Sequence, residues 1–429
     1  MISQAQGSLN EAYVDPQVKH SRDLCWYAKP LREDSLRVLF LAPHPFYQDR
    51  GTPINSSIFL KALSEEQYQV DVLTYPEGQD VQYPNVTIYR TLKCPLVSNV
   101  KPGFSWKKLI YDVLMLVKAI QLVSRKQYDV IQGIEESVFI ALLFKLLLNI
   151  PYVYDMDSSI AQQMVEQLPW LSPLAPALNW FEKLAVKRAK AVIPVCDAIA
   201  QDIAKYSPER VMILPDISLL AENEGIEVQE DLRADLGITG VMLMYVGNLE
   251  GYQGIDLMIE GFAIALQQDE SLNLVIIGGD AEGIETYRQK AAQLGAGNRV
   301  HFMGQRPATH LSGYLSQADI LVSPRTKGKN TPMKIYSYLD SGKAVLATDL
   351  LTHTQVLTDQ VALLAKSDST SFAAGMVQLA QNQLLCQELG LAGRQLVAEK
   401  HSYSAFRNTI KDLYGWLKSE LLPQQCQAK

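Results

Sequence analysis

Short, unbroken apolar runs separated by stretches of helical periodicity organise the chain. Val38 to Ala42 (VLFLA) is the first, and a run without polar alternation is what a parallel strand buried on both faces requires. Similar runs recur at Val70–Tyr75, Thr87–Tyr89, Val130–Gln132, Tyr152–Tyr154, Ala191–Val195 and Val211–Leu214, with amphipathic segments between several of them. That alternation predicts a doubly wound α/β sheet. From Asp216 to Gly237 the pattern gives way to an acidic, irregular segment (DISLLAENEGIEVQEDLRADLG). The same grammar then restarts in VMLMYVG, LNLVIIGGD, RVHFMG, DILVSP, KAVLAT and VALLA. The prediction is two Rossmann-like domains, at 35–215 and 238–401, joined by a linker at 216–237. A polar extension precedes them at 1–34, and residues 402–429 hold a last amphipathic, aromatic-rich helix and a tail.

Size agrees with this division, since 429 residues exceed what one ordinary core serves. A net charge of -7 argues against a nucleic-acid partner. The five cysteines are odd in number and lack metal-ligand spacing, so neither a disulfide framework nor a metal site is indicated, and a cytoplasmic location is expected. Met1 to Arg32 has no apolar core of a signal peptide. The greasiest run, Val138–Ile150, is interrupted by Lys145 and too short to span a bilayer, which takes about 20 residues.

The chemistry concentrates in Ser323–Thr348, SPRTKGKNTPMKIYSYLDSGKAVLAT, which reads as strand, polar loop, helix start and second buried strand. Arg325, Lys327, Lys329 and Lys334 crowd the point where loop meets helix, so side-chain charge and free backbone N–H groups converge on one anion. A phosphate-bearing ligand fits; the bland alternative is a solvated charged face. This segment, together with the repeated grammar over residues 36–421, resembles the family-4 retaining glycosyltransferases of the two-Rossmann (GT-B) fold, as a divergent member without their usual paired glutamates.

The resemblance implies two domains facing across a cleft, with a nucleoside-diphosphate sugar held by the second and an acceptor presented by the first. It further implies transfer with retention and no obligatory cofactor or metal. Gly247 and Gly254 belong to the loop that meets the diphosphate, and Gly279 to a loop flanking the base. The family's gripping Arg and Lys match Asn248 and Gln253, so Arg325 and Lys334 are expected to supply the missing charge, helped by Lys327 or Lys329. Lys329 and Ser337 stand in place of the paired glutamates. Ser337 is expected to bond a ribose hydroxyl, and Asn330 and Thr331 to replace lost polar contacts. On the acceptor side the resemblance singles out Gly51 and Thr52, with Asp157 beside the reacting sugar; Glu135, by its place after the strand run DVIQG, is a secondary candidate at the same cleft edge. Asp157 would orient or deprotonate the acceptor hydroxyl, or stabilise an oxocarbenium-like transition state; the competing role is a helix N-cap. The departures at Asn248, Gln253, Lys329 and Ser337 keep open a non-catalytic, membrane-associated relative that binds or regulates, and the double-Rossmann architecture keeps open a sugar-nucleotide epimerase.

Residues 101–126 carry six cations, among them Lys107, Lys108, Arg125 and Lys126, against the single acid Asp112. Trp106 and an apolar series make this an amphipathic helix suited to an anionic lipid surface, and Trp170 lies in a second apolar, basic segment. Ordinary core packing is the alternative. The membrane-surface option favours a glycolipid or lipid-linked glycan acceptor and a peripheral membrane location.

Overall fold

A computed structural model describes residues 35–48, 51–95, 97, 106–220 and 230–422. The extension expected at 1–34 and the middle of the linker lie outside the described residues. The strands are β1 (Arg37–Ala42), β2 (Gln69–Thr74), β3 (Val86–Arg90), β4 (Val130–Ile134), β5 (Tyr152–Met156), β6 (Ala191–Pro194), β7 (Met242–Val246), β8 (Asn273–Ile277), β9 (Val300–Gly304), β10 (Ile320–Ser323), β11 (Ala344–Thr348) and β12 (Leu363–Ala365). They form two parallel sheets, ordered β3-β2-β1-β4-β5-β6 and β12-β11-β10-β7-β8-β9. Both follow one doubly wound order, read from opposite ends, so each sheet has a switch point: between β1 and β4 in the first, between β7 and β10 in the second. Crevices at such points, beyond the carboxyl ends of the strands, are where open α/β sheets bind ligands.

The helices of the first domain are α1 (Gly51–Glu65), α2 (Trp106–Arg125), α3 (Val138–Leu148), α4 (Ile160–Gln167), α5 (Ala175–Arg188) and α6 (Asp197–Ala204). Those that follow are α7 (Leu232–Leu236), α8 (Ile255–Leu266), α9 (Ala281–Gln293), α10 (Leu311–Gln317), α11 (Lys334–Asp340), α12 (Leu351–Thr354), α13 (Ser369–Gln381), α14 (Gln383–Lys400) and α15 (Tyr403–Leu421). Cores form on both faces of each sheet, which is why the strands read as continuous apolar runs.

Helix α15 crosses back onto the first domain. Its Phe406, Ile410, Leu413, Tyr414 and Leu417 are buried in the core beneath α1, and Arg407 pairs with Glu65 and Glu66. The 3.6-residue spacing of those five positions provides the apolar stripe that makes this docking favourable.

One expected strand is not formed. Val211–Leu214 lies beside β6 with Met212 N donating to Val192 O and Leu214 N to Pro194 O, yet only the Val192–Val211 bridge results. Pro194 has no N–H to extend the ladder.

Candidate active site

The carboxyl edges of the two sheets face each other, because the turn after β6 meets the loop after β10: Cys196 Sγ lies 3.8 Å from Lys329 O. On the second-domain side, the loops after β7 and β10 flank the switch point. Gly254 has φ +77°, and a Cβ there would stand 1.9 Å from Pro324 O, so only glycine lets these loops touch. Gly247, at φ +154°, leaves room for the Lys334 ammonium, which a Cβ would approach to 2.6 Å.

Lys334, the first residue of α11, thereby reaches under the β7 loop. Its Nζ sits 3.9 Å from the Tyr245 ring centroid and 3.4 Å from Gln253 Oε1. Arg325 is buried against the Tyr252 ring; its Nε donates to Lys327 O at 2.7 Å and its Nη2 to Asn330 Oδ1 at 2.9 Å. Neither cation has a carboxylate partner among the described residues. Burial, with Arg325 nearby, holds the Lys334 pKa well below the ordinary lysine value, and burial lowers that of Arg325 too. Two desolvated cations with polar but uncharged neighbours make a pocket short of negative charge. An anion seated there would restore the balance.

The other donor-side residues are placed unevenly around this pocket. Asn248 is exposed on the β7 loop, and Gly279 packs against Leu249 at the end of β8. The Lys327 side chain is exposed and only its carbonyl is drawn in, by Arg325. Asn330 orients Arg325, and Thr331 is buried on the same loop. Ser337 requires correction. It is fully buried and its Oγ accepts from Leu219 N at 3.1 Å, so it holds the crossing between domains rather than meeting a ribose. Lys329 is likewise engaged, at 2.5 Å from Asp202 of α6.

On the first-domain side, Asp157 follows β5 and accepts from Thr52 Oγ1 at 3.4 Å, near the start of α1, where Gly51 lies exposed with open space around it. The N-cap role belongs to another residue: Ser159 Oγ accepts from Gln162 N and caps α4. Burial, with Asp155, Glu135 and Asp216 close by, holds the Asp157 carboxyl well above the usual range. Burial likewise raises Asp155, against the opposing Gln132 hydrogen bond, and pushes Asp216 up to about 7. Gln132 relays between domain core and site, donating to Asp155 at 3.0 Å while accepting from Tyr414 of α15 at 2.6 Å. Asp216 was readable only as the start of a linker; nothing local in the sequence marks it as a member of this group. Among the described residues no cluster of three or more His, Cys, Asp or Glu side chains is placed to hold a metal.

These carboxyls give a signed pH dependence. Their folded pKa values lie above the unfolded ones, so the stability they contribute is present below the ordinary carboxylate range and is lost as pH rises through about 7. The ligand-free protein is expected to melt at progressively lower temperature from pH 5 to pH 8. Asp155→Asn should flatten that slope in a thermal scan series, and an unchanged slope would contradict the assignment.

Two membrane-side residues also need correction. Lys108 is turned inward, 2.5 Å from Glu136 and 3.8 Å from Glu135, and Lys126 is bound by Asp71 at 2.7 Å. Their charges are compensated within the protein. Arg125, Trp106 and Trp170 are exposed, and Lys107 is half-buried.

Comparison with known proteins agrees with this architecture. A family model for a glycosyl transferase 4-like domain matches residues 59–216, and one for glycosyl transferases group 1 matches residues 228–396. D-inositol 3-phosphate glycosyltransferase of Corynebacterium efficiens is 24% identical over 284 residues, 61% of this chain and 66% of that protein. Phosphatidyl-myo-inositol mannosyltransferase of Mycobacterium tuberculosis is 25% identical over 183 residues, 41% of this chain and 47% of that protein. The match thus spans between about half and two thirds of these relatives. The crystal structure of Anabaena HepE in complex with UDP superposes with a TM-score of 0.68 at 14% identity, over 89% of this chain and all of that one. With one glycosyltransferase family model on each domain and the two doubly wound sheets set edge to edge, the chain has the two-Rossmann fold of the GT-B glycosyltransferases.

Proposed function

We propose that the protein transfers a sugar from a nucleoside-diphosphate sugar to an acceptor hydroxyl, with retention, and that the acceptor is a membrane glycolipid or lipid-linked glycan. The observation that carries the donor side is the pair Arg325 and Lys334, inward-turned cations that have no carboxylate partner among the described residues, at the switch point of the second sheet. In the reaction the bond from the anomeric carbon to the phosphate oxygen breaks and a bond to the acceptor oxygen forms. Arg325 and Lys334 stabilise the charge on the departing diphosphate. Asp157 takes the acceptor proton, a role its raised pKa suits. The UDP held by the HepE structure supports a nucleotide donor, and the inositol-based names of the two relatives support an acceptor of that general kind.

The lipid reading draws support from an outer helical surface of the first domain. Trp106, Leu109, Val113, Val117 and Ile120 form an outward apolar stripe on α2, opposite its buried Tyr111, Met115, Ala119 and Leu122. Leu146–Leu148 ending α3, and Trp180 and Phe181 on α5, are also exposed. These three helices carry cations but no exposed acid, on a chain whose net charge is -7. An apolar face with a basic rim fits an anionic bilayer at the cytoplasmic side. No helix among the described residues is long and apolar enough to cross a membrane.

Incubation with a panel of nucleotide sugars and a membrane lipid extract tests the whole reading, with a glycosylated lipid and free nucleoside diphosphate as the expected products. For the surface, Val113→Ser, Val117→Ser and Ile120→Ser together should cut cosedimentation with anionic vesicles about tenfold, given roughly 25 cal/mol per Å² of apolar area withdrawn from water. Equal sedimentation of variant and wild type would remove the lipid surface from the account.

A further inference from the structure

Helix α6 begins without a cap of its own. Its N-cap residue is Cys196, whose side chain makes no capping bond, so the early N–H groups need partners from elsewhere. The N–H of Ala198 finds one in the other domain: it donates to Gln355 Oε1 at 2.8 Å. Gln355 also donates from Nε2 to Lys329 O at 2.6 Å, and Lys329 Nζ reaches back across the boundary to Asp202 on the same helix, at 2.5 Å. The next residue, Asn330, is fixed through its carbonyl by Thr352 Oγ1 at 2.7 Å and through its side chain orients Arg325.

From this chain of contacts we infer that Gln355 is an interdomain helix cap which, with the Lys329–Asp202 pair, couples closure of the two domains to the grip of Arg325 on a diphosphate. The inference rests on the donor-site reading above. Opening the cleft removes the Ala198 and Asp202 contacts and leaves a helix N–H unpaired, while the Gln355–Lys329 bond stays within the second domain. Closure therefore adds the Lys329–Asp202 pair to the second-domain bonds that keep the Lys329–Asn330 segment in the position that aims Arg325. By linkage, an anion that prefers the aimed Arg325 must favour the closed form to the same extent. Gln355, Lys329 and Asp202 are positioning residues that act through Arg325.

UDP and GDP, titrated calorimetrically into the full chain, test this. Asp202→Asn lies on the first domain and is expected to weaken binding of the better nucleotide about threefold, the scale of a half-exposed ion pair. Gln355→Leu, which strips α6 of its cap, should weaken it about tenfold. The charge swap Asp202→Lys with Lys329→Asp should restore most of the loss from Asp202→Lys alone, which a merely local packing defect would not do. Small-angle scattering should show nucleotide-induced compaction in wild type and less of it in Gln355→Leu. Wild-type affinity in both single variants, with unchanged compaction, overturns the coupling while leaving the donor site intact. A wild-type chain that binds neither nucleotide overturns both.

Discussion

Lys334→Met is expected to weaken nucleoside-diphosphate binding by roughly 1.5–3 kcal/mol, the range for hydrogen bonds to charged groups, without lowering the melting temperature of the ligand-free protein. The two outcomes belong together. The Lys334 ammonium is turned onto the Tyr245 ring, among the described residues it hydrogen-bonds only the Gln253 amide oxygen, and Arg325 repels it. A methionine of similar length fills the same space without that cost. Ligand-free protein is thus poised against its own function, a trade-off common at binding sites. Because burial and Arg325 depress the lysine pKa, seating an anion beside it should draw in a proton, and the binding enthalpy should vary with the ionisation enthalpy of the buffer. A variant that binds nucleotide as wild type does, or that melts several degrees lower, would assign Lys334 to the scaffold instead.

Asp157→Asn should depress turnover by about 10²–10⁴, the usual contribution of a positioned general base, while nucleotide affinity and melting temperature change little or the latter rises. Since Ser159 caps α4, no helix end depends on Asp157. The pH profile carries the same information. Asp157 shares its edge with Asp155, Glu135 and Asp216, and burial together with their charge opposes its ionisation. Turnover of the wild type should rise with pH as the group ionises, while stability falls over the same interval. In Asp157→Asn the residual rate should lose most of that rise. Full turnover in the variant would move the proton acceptor elsewhere in the cleft.

Most of the fold was legible because buried parallel strands announce themselves as unbroken apolar runs, and the domain repeat follows from their recurrence. The cation pocket was legible for a local reason too: Arg325 and Lys334 lie on one loop–helix junction, so charge crowding shows in sequence. What escaped depends on contacts between distant segments. Ser337 looks like any polar residue on a helix, and only the approach of Leu219 turns it into part of the interdomain crossing. Lys108 and Lys126 belong to a basic stretch, yet Glu135, Glu136 and Asp71 from other elements neutralise them. The exposed stripe of α2 proposed to meet lipid is therefore argued from its apolar residues and not from these two lysines. Gln355 gave no signal at all, since capping by an uncharged side chain from another domain has no local pattern. The unbroken apolar run that marks a strand also misleads at Val211–Leu214, where the missing N–H of a proline in the neighbouring strand stops the ladder.

Arg325 and Lys334 are proposed to hold the diphosphate of a nucleotide donor at the switch point of the second sheet. A crystal structure with UDP or GDP, whichever binds more tightly, tests this most directly. The terminal phosphate is expected within hydrogen-bond distance of Lys334 Nζ and the Arg325 guanidinium, beside the backbone at Gly247. A nucleotide bound with its phosphates away from both cations would contradict it.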